Sequence, residues 1–145
     1  MYEPIRTRSV HSTMAGTPSD LPHRSRDEEL DIQLAGHLAA LLAVTDELRT
    51  LTPSADLDTA SDRLAAQVAR PRGGRAPVRA APTAAAPDPR ILHRRAHTLA
   101  GRALVVAASR ADTAAAILTA QRMDAHAAAL AAPTGLSTTE LSTTA

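Results

Sequence analysis

The stretch ELDIQLAGHLAALLAVTDELRTL, Glu29 to Leu51, decides the fold class. Leu30, Leu34, His37, Leu41, Val44, Leu48 and Leu51 recur at alternating spacings of four and three, with Leu38 beside them. That period describes one face of an α-helix and excludes a strand, whose faces alternate every second residue. A single histidine interrupts the aliphatic stripe. Ser25 and Glu28 stand in front of it at capping-box spacing, and Asp27, Glu28, Glu29 and Asp31 place negative charge at the positive end of the helix dipole. The spacing predicts a first helix from Ser25 to Leu51, stopped by Pro53.

Composition carries the same message to the rest of the chain. Of 145 residues none is Phe, Trp or Cys, and Tyr2 is the one aromatic residue. Alanine and leucine dominate, and both are strong helix formers. The β-branched and aromatic runs that an all-β fold requires are missing. Leu, Ile and Val stay under about a fifth of the chain, a level at which disorder enters, yet the net charge is only +1. All sixteen basic residues are arginine, the pattern expected of GC-rich bacterial coding. Lack of cysteine removes disulfides, thiolate metal sites and thiol nucleophiles. The longest apolar run, Leu38 to Val44, is too short for a bilayer, and no signal pattern opens the chain, so the expected location is the cytoplasm.

Punctuation divides the sequence. Residues 1–24 read as a disordered, mildly basic tail, within which Met14 is an alternative start. Residues 25–70 hold helix one and a shorter helix two, about Pro53 to Arg70, with Thr52 as its cap and a thin stripe of Leu57, Leu64 and Val68. Residues 71–88 read as a Pro/Arg/Ala-rich linker in which prolines and a glycine pair forbid a regular element. Residues 89–132 read as a third, long, basic helix with Leu92, Leu99, Val106, Ile117 and Leu118 on its apolar face. SRAD, Ser109 to Asp112, is expected to kink this helix rather than divide it, although it also fits a second capping box. Residues 133–145 repeat Leu-Ser-Thr-Thr and read as a disordered tail.

The expected fold is therefore all-α: a small antiparallel bundle or helical hairpin of three helices. Acidic helix one and arginine-rich helix three carry opposite charge and are expected to pack together, within a chain or between chains. Aliphatic stripes this thin make a lone monomer marginal, so association is expected.

The residues able to do chemistry are few. His37 reads either as a pH-sensitive register point or as a seam residue with a hydrogen-bonding partner; the second is the expectation, since one polar residue in a heptad fixes register. His93 and His97 in HRRAH lie one turn apart at a spacing that can bind zinc, with His37, His126 or a carboxylate as third ligand. The motif resembles the metalloprotease helix His-Glu-x-x-His, but Arg94 replaces its general base, and two adjacent arginines repel a cation. No metal and no cofactor is expected. Asp46/Glu47 and Asp56/Asp58 read as solvated helix surface, and no hydroxyl sits in a strand-turn-helix elbow, so the inventory argues against an enzyme. Arg70, Arg72, Arg75 and Arg79 are candidate anion contacts. Against nucleic acid stand the near-neutral charge and the lack of stacking aromatics; VAASRADTAAAILTA fits a helix-turn-helix poorly. The function expected is a noncatalytic helical interaction module that pairs with itself or with another helical protein. A nucleic-acid-associated regulator is the alternative, and no membrane role is expected.

Overall fold

The computed structural model describes residues 25–77, 79 and 87–133. These form four α-helices and one 3-10 turn: α1 (Arg26–Leu51), α2 (Ala55–Ala69), the turn Arg70–Arg72, α3 (Pro89–Ser109) and α4 (Thr113–Ala131). No strand occurs among the described residues. The tails 1–24 and 134–145, and most of the linker's second half, lie outside them.

Each helix start follows from a named cap. On α1 the capping box closes: the Glu28 amide donates to Ser25 Oγ at 3.2 Å and the Ser25 amide to Glu28 Oε2 at 3.4 Å. Helix α2 begins two residues later than the sequence led us to expect. Ser54 outcompetes Thr52 as cap, accepting from the Leu57 amide at 3.1 Å, and Pro53 stays in the bridge between helices. At the far end of α2 the 3-10 turn corrects the expectation of a wholly irregular linker. Gly73 and Gly74, at φ 67° and 81°, then turn the chain away in a left-handed conformation that side chains resist.

The long third helix is not continuous. At Ser109–Asp112 the chain reverses, giving four helices instead of three. The Ala111 amide donates to Ala108 O and the Asp112 amide to Ala107 O, the paired bonds of a Schellman ending. Ala111 supplies the left-handed residue, φ 52°, where glycine is usual. Asp112 then caps α4 by accepting from the Ala115 amide at 3.2 Å. One aspartate thus closes the end of one helix and caps the next, and only Arg110 and Ala111 stand between Ser109 and this cap.

The corners of the bundle follow from which helices touch. Helix α1 packs on α2 and α3, α3 on α4, and α2 more lightly on α4. Arg110 at the end of α3 reaches Asp31 (2.9 Å) and Asp27 (3.4 Å) at the start of α1, so these two helices are antiparallel. Arg70 at the end of α2 pairs with Asp112 at the start of α4, making that pair antiparallel too. It follows that α2 and α3 run parallel from opposite corners. The all-antiparallel arrangement needs this amendment: two helical hairpins are joined by a crossover that returns the chain the length of the bundle.

Inside, α1 buries Leu34, Leu38, Leu41, Thr45 and Leu48 at alternating spacings of four and three, with Leu42 and Val44 on the flanks. Thr45 remains satisfied by donating to Leu41 O at 2.8 Å. Helix α3 contributes Leu92, then Ala96, Ala100, Ala103 and Ala107, all fully buried. Small side chains there bring the backbones of α3 and α4 close, while the leucines of α1, with Leu57, Leu64 and Val68 of α2, supply most of the apolar area.

Candidate functional site

The residues expected to form an interaction seam divide by position. Leu34, Leu38, Leu41, Val44, Leu48, Leu92, Val106 and Leu118 lie in the core of the single chain. Leu30, Leu51 and Leu99 are half-buried against it. His37 is half-buried at the edge of the stripe, and the fully buried polar residue of α1 is Thr45. Ile117 points outward, 54% exposed. It lines a groove of about 340 Å³ with Ala107, Ala108, Ala116 and Ala120, walled mainly by alanine methyls. Val105 is exposed on the same hairpin.

At the other end of that hairpin the chain gathers its titratable groups. His93 of α3 and His126 of α4 face each other with their Nδ1 atoms 2.9 Å apart and ring centroids 5.2 Å apart. HRRAH thus provides one half of a pair across helices rather than two ligands on one face; His97 is half-buried nearby. Two Nδ1 atoms at this distance hold one proton between them. His126 is 1% exposed and its Nε2 finds no hydrogen bond among the described residues. An unmet buried N–H costs more than an unmet lone pair, which assigns the shared proton to His126 Nδ1 and leaves the Nε2–H on half-buried His93.

Arg122, one turn before His126, is also buried. Its Nη1 donates to Asp56 Oδ2 of α2 at 3.0 Å, while its Nε has no partner among the described residues. Burial, then the Arg122 charge, push His126 down to about 4, with His93 and His97 adding to this and Asp56 opposing it. Burial, Arg122 and Arg90 lower His93 as well. Both imidazoles are therefore neutral near pH 7. Among the described residues no group of three or more His, Cys, Asp or Glu is placed to hold a metal ion, and no hydroxyl hydrogen-bonds to an imidazole.

Of the carboxylates read from sequence as solvated helix surface, Asp56 and Asp58 are exposed as expected, while Asp46 is largely withdrawn into a hydrogen-bonded cluster. Asp56 pairs with Arg122, and Asp58 with Arg49 at 2.8 Å. Asp46 accepts from Ser61, Arg49 and Arg79. Apart from Arg49 with Asp46, three residues apart on α1, these contacts left no local signal because the partners lie on another helix or in the linker. Of the four candidate anion contacts, Arg70 pairs with Asp112 and Arg79 with Asp46, while Arg75 is exposed. The side chain of Arg72 lies outside the described residues.

Comparison with protein-family models, with curated proteins and with solved structures returned no match to this chain. No helix among the described residues is long and apolar enough to cross a membrane.

Proposed function

We propose that this chain is a noncatalytic helical interaction module that associates through the outer face of its α3–α4 hairpin, with a second copy as the first partner to test. The observation that carries the reading is Ile117, a large aliphatic side chain held more than half exposed beside an alanine-walled groove. Within one chain the leucine stripes already satisfy each other, so an interface drawing on them would require exchange of hairpins through the crossover. The outer face needs no such rearrangement. Small residues there let another helix approach closely, and Ile117 supplies the knob.

Light scattering of the full chain across a concentration series tests this, beside Ile117→Asp. A dimer that Ile117→Asp dissociates supports the reading; a monomer at hundreds of micromolar overturns self-association.

The runner-up, a nucleic-acid-associated regulator, draws on a different observation. Arg94, Arg95 and Arg102 are exposed on α3 and make no ion pair with the described residues. An electrophoretic shift of duplex DNA that vanishes steeply with salt would favour it.

A further inference from the structure

The α1–α2 hairpin carries a polar cluster of its own, remote from the Ile117 groove. Ser61 of α2 is fully buried, and its Oγ donates to Asp46 Oδ1 of α1 at 2.9 Å. Arg49 closes the hairpin over them, donating to Asp58 at 2.8 Å, to Asp46 at 3.3 Å and to Ser61 at 3.2 Å. Two carboxylates against one guanidinium leave a single negative charge.

A second guanidinium arrives from outside the helices to meet it. Arg79 Nη1 donates to Asp46 Oδ2 at 2.7 Å, and its Nη1 and Nη2 approach Ser61 Oγ at 3.2 and 3.0 Å. A carboxylate oxygen and a hydroxyl oxygen side by side match the rigid fork of a guanidinium, which an ammonium cannot reproduce. A cavity of about 410 Å³ surrounds this contact, lined by Asp46, Arg49, Thr50, Asp58 and Arg79. Of Arg75, Ala76, Pro77 and Arg79, only Arg79 bonds to the helices among the described residues. Its side chain is 40% exposed, so water reaches the contact and the hold is weak.

We propose that the Asp46–Ser61 cradle is a receptor for an arginine side chain on an extended peptide segment, and that Arg79 is its resident, displaceable occupant. Arg79 is then a tethered plug in the cradle. An arginine-bearing strand in trans competes with Arg79 for the same three contacts, and covalent tethering gives the cis occupant its advantage.

The test uses the full chain and a fluorescein-labelled peptide of residues 75–83, RAPVRAAPT, followed by anisotropy at physiological salt. With the cis occupant removed, Arg79→Ala binds the peptide about three- to fivefold tighter than the unaltered chain. Adding Asp46→Asn to Arg79→Ala removes that gain, and a peptide carrying Arg79→Lys binds several-fold more weakly. Equal binding by the unaltered chain and Arg79→Ala overturns the proposal, as does indifference to Asp46→Asn or to lysine. Should Asp46→Asn lose helicity by circular dichroism, Ser61→Ala in the Arg79→Ala background carries the same test with the charge retained. Ile117 is untouched throughout, so a negative result here leaves the outer-face reading standing.

Discussion

His93 and His126 hold one proton between their Nδ1 atoms across 2.9 Å, and this contact joins the ends of α3 and α4 that lie farthest from their connecting turn. Doubly protonated, the pair would set two N–H groups against each other with Arg122 beside them, so acid acts directly on the hairpin's open end.

The sign of the pH dependence follows. His126 ionises near 6.5 when unfolded and at about 4 when folded, so between these values the unfolded chain binds more protons. The contribution is fully present above about pH 6.5 and is lost as pH falls towards 4, on the order of 3 kcal/mol in all. Urea unfolding at pH 7 and pH 4.5 reads this difference. His126→Gln should be less stable at pH 7 and much less pH-sensitive; an equal slope in both proteins would place the acid sensitivity elsewhere.

Arg122 offers a separate handle on the same pair. After burial, its charge is the largest cause holding His126 down, so Arg122→Met should raise the His126 midpoint toward the ordinary histidine range. Stability at pH 7 should change by about 1 kcal/mol or less, because an apolar side chain of similar volume fills the site and the unpaired Nε is removed. Arg122→Ala leaves a cavity and should cost about 2 kcal/mol or more. Imidazole proton shifts followed by NMR across pH 3–8 decide the first point. A His126 midpoint unmoved by Arg122→Met would mean burial alone sets it.

What the sequence made legible was local. The Ser25–Glu28 box, the α1 stripe and the Asp88–Pro89 start could be read because their signals lie within one turn of each other. The charge match of α1 and α3 was legible as a tendency, and it is realised at Arg110 with Asp27 and Asp31. The division of the third helix was not legible, since it rests on Ala111 taking a left-handed conformation that glycine usually marks. The pairing of His93 with His126 depends on that reversal, because only a turn at Ser109–Asp112 brings residues 33 apart in sequence together. A misread turn therefore hid the histidine pair as well. The Asp46–Ser61 contact and its link to Arg79 were hidden for another reason: these partners come from a neighbouring helix and from a linker with no periodicity.

Ala111 itself should be improvable. An alanine at φ 52° carries a strain of about 1 kcal/mol or slightly more that glycine does not. Glycine gives part of that back through the greater freedom of the unfolded chain. Ala111→Gly is therefore expected to stabilise the protein by about 0.5 kcal/mol, read as a higher urea midpoint at unchanged slope. A lower midpoint would mean that the turn is not left-handed at this residue.

Asp112 is where the turn is most vulnerable. Burial works to raise its carboxyl, but the Ala115 amide, the Arg70 guanidinium and the Arg110 charge together hold it below the usual aspartate range. Asp112→Asn keeps an oxygen for the Ala115 amide and loses the ion pairing, a change of roughly 0.5–1 kcal/mol. Asp112→Ala loses the cap as well and should cost about 1–2 kcal/mol. The contribution of the charge is present above the unfolded aspartate pKa and is lost as pH falls through the lower folded value. The two variants should consequently converge in stability relative to the unaltered chain at strongly acidic pH only in their charge term, with the cap difference between Asn and Ala persisting. Hydrogen exchange at the Ala115 amide separates the contributions: protection retained in Asp112→Asn and lost in Asp112→Ala assigns the larger effect to the cap. Equal loss in both would assign it to the ion pair with Arg70, and α4 would then owe its start to α2 more than to its own first turn.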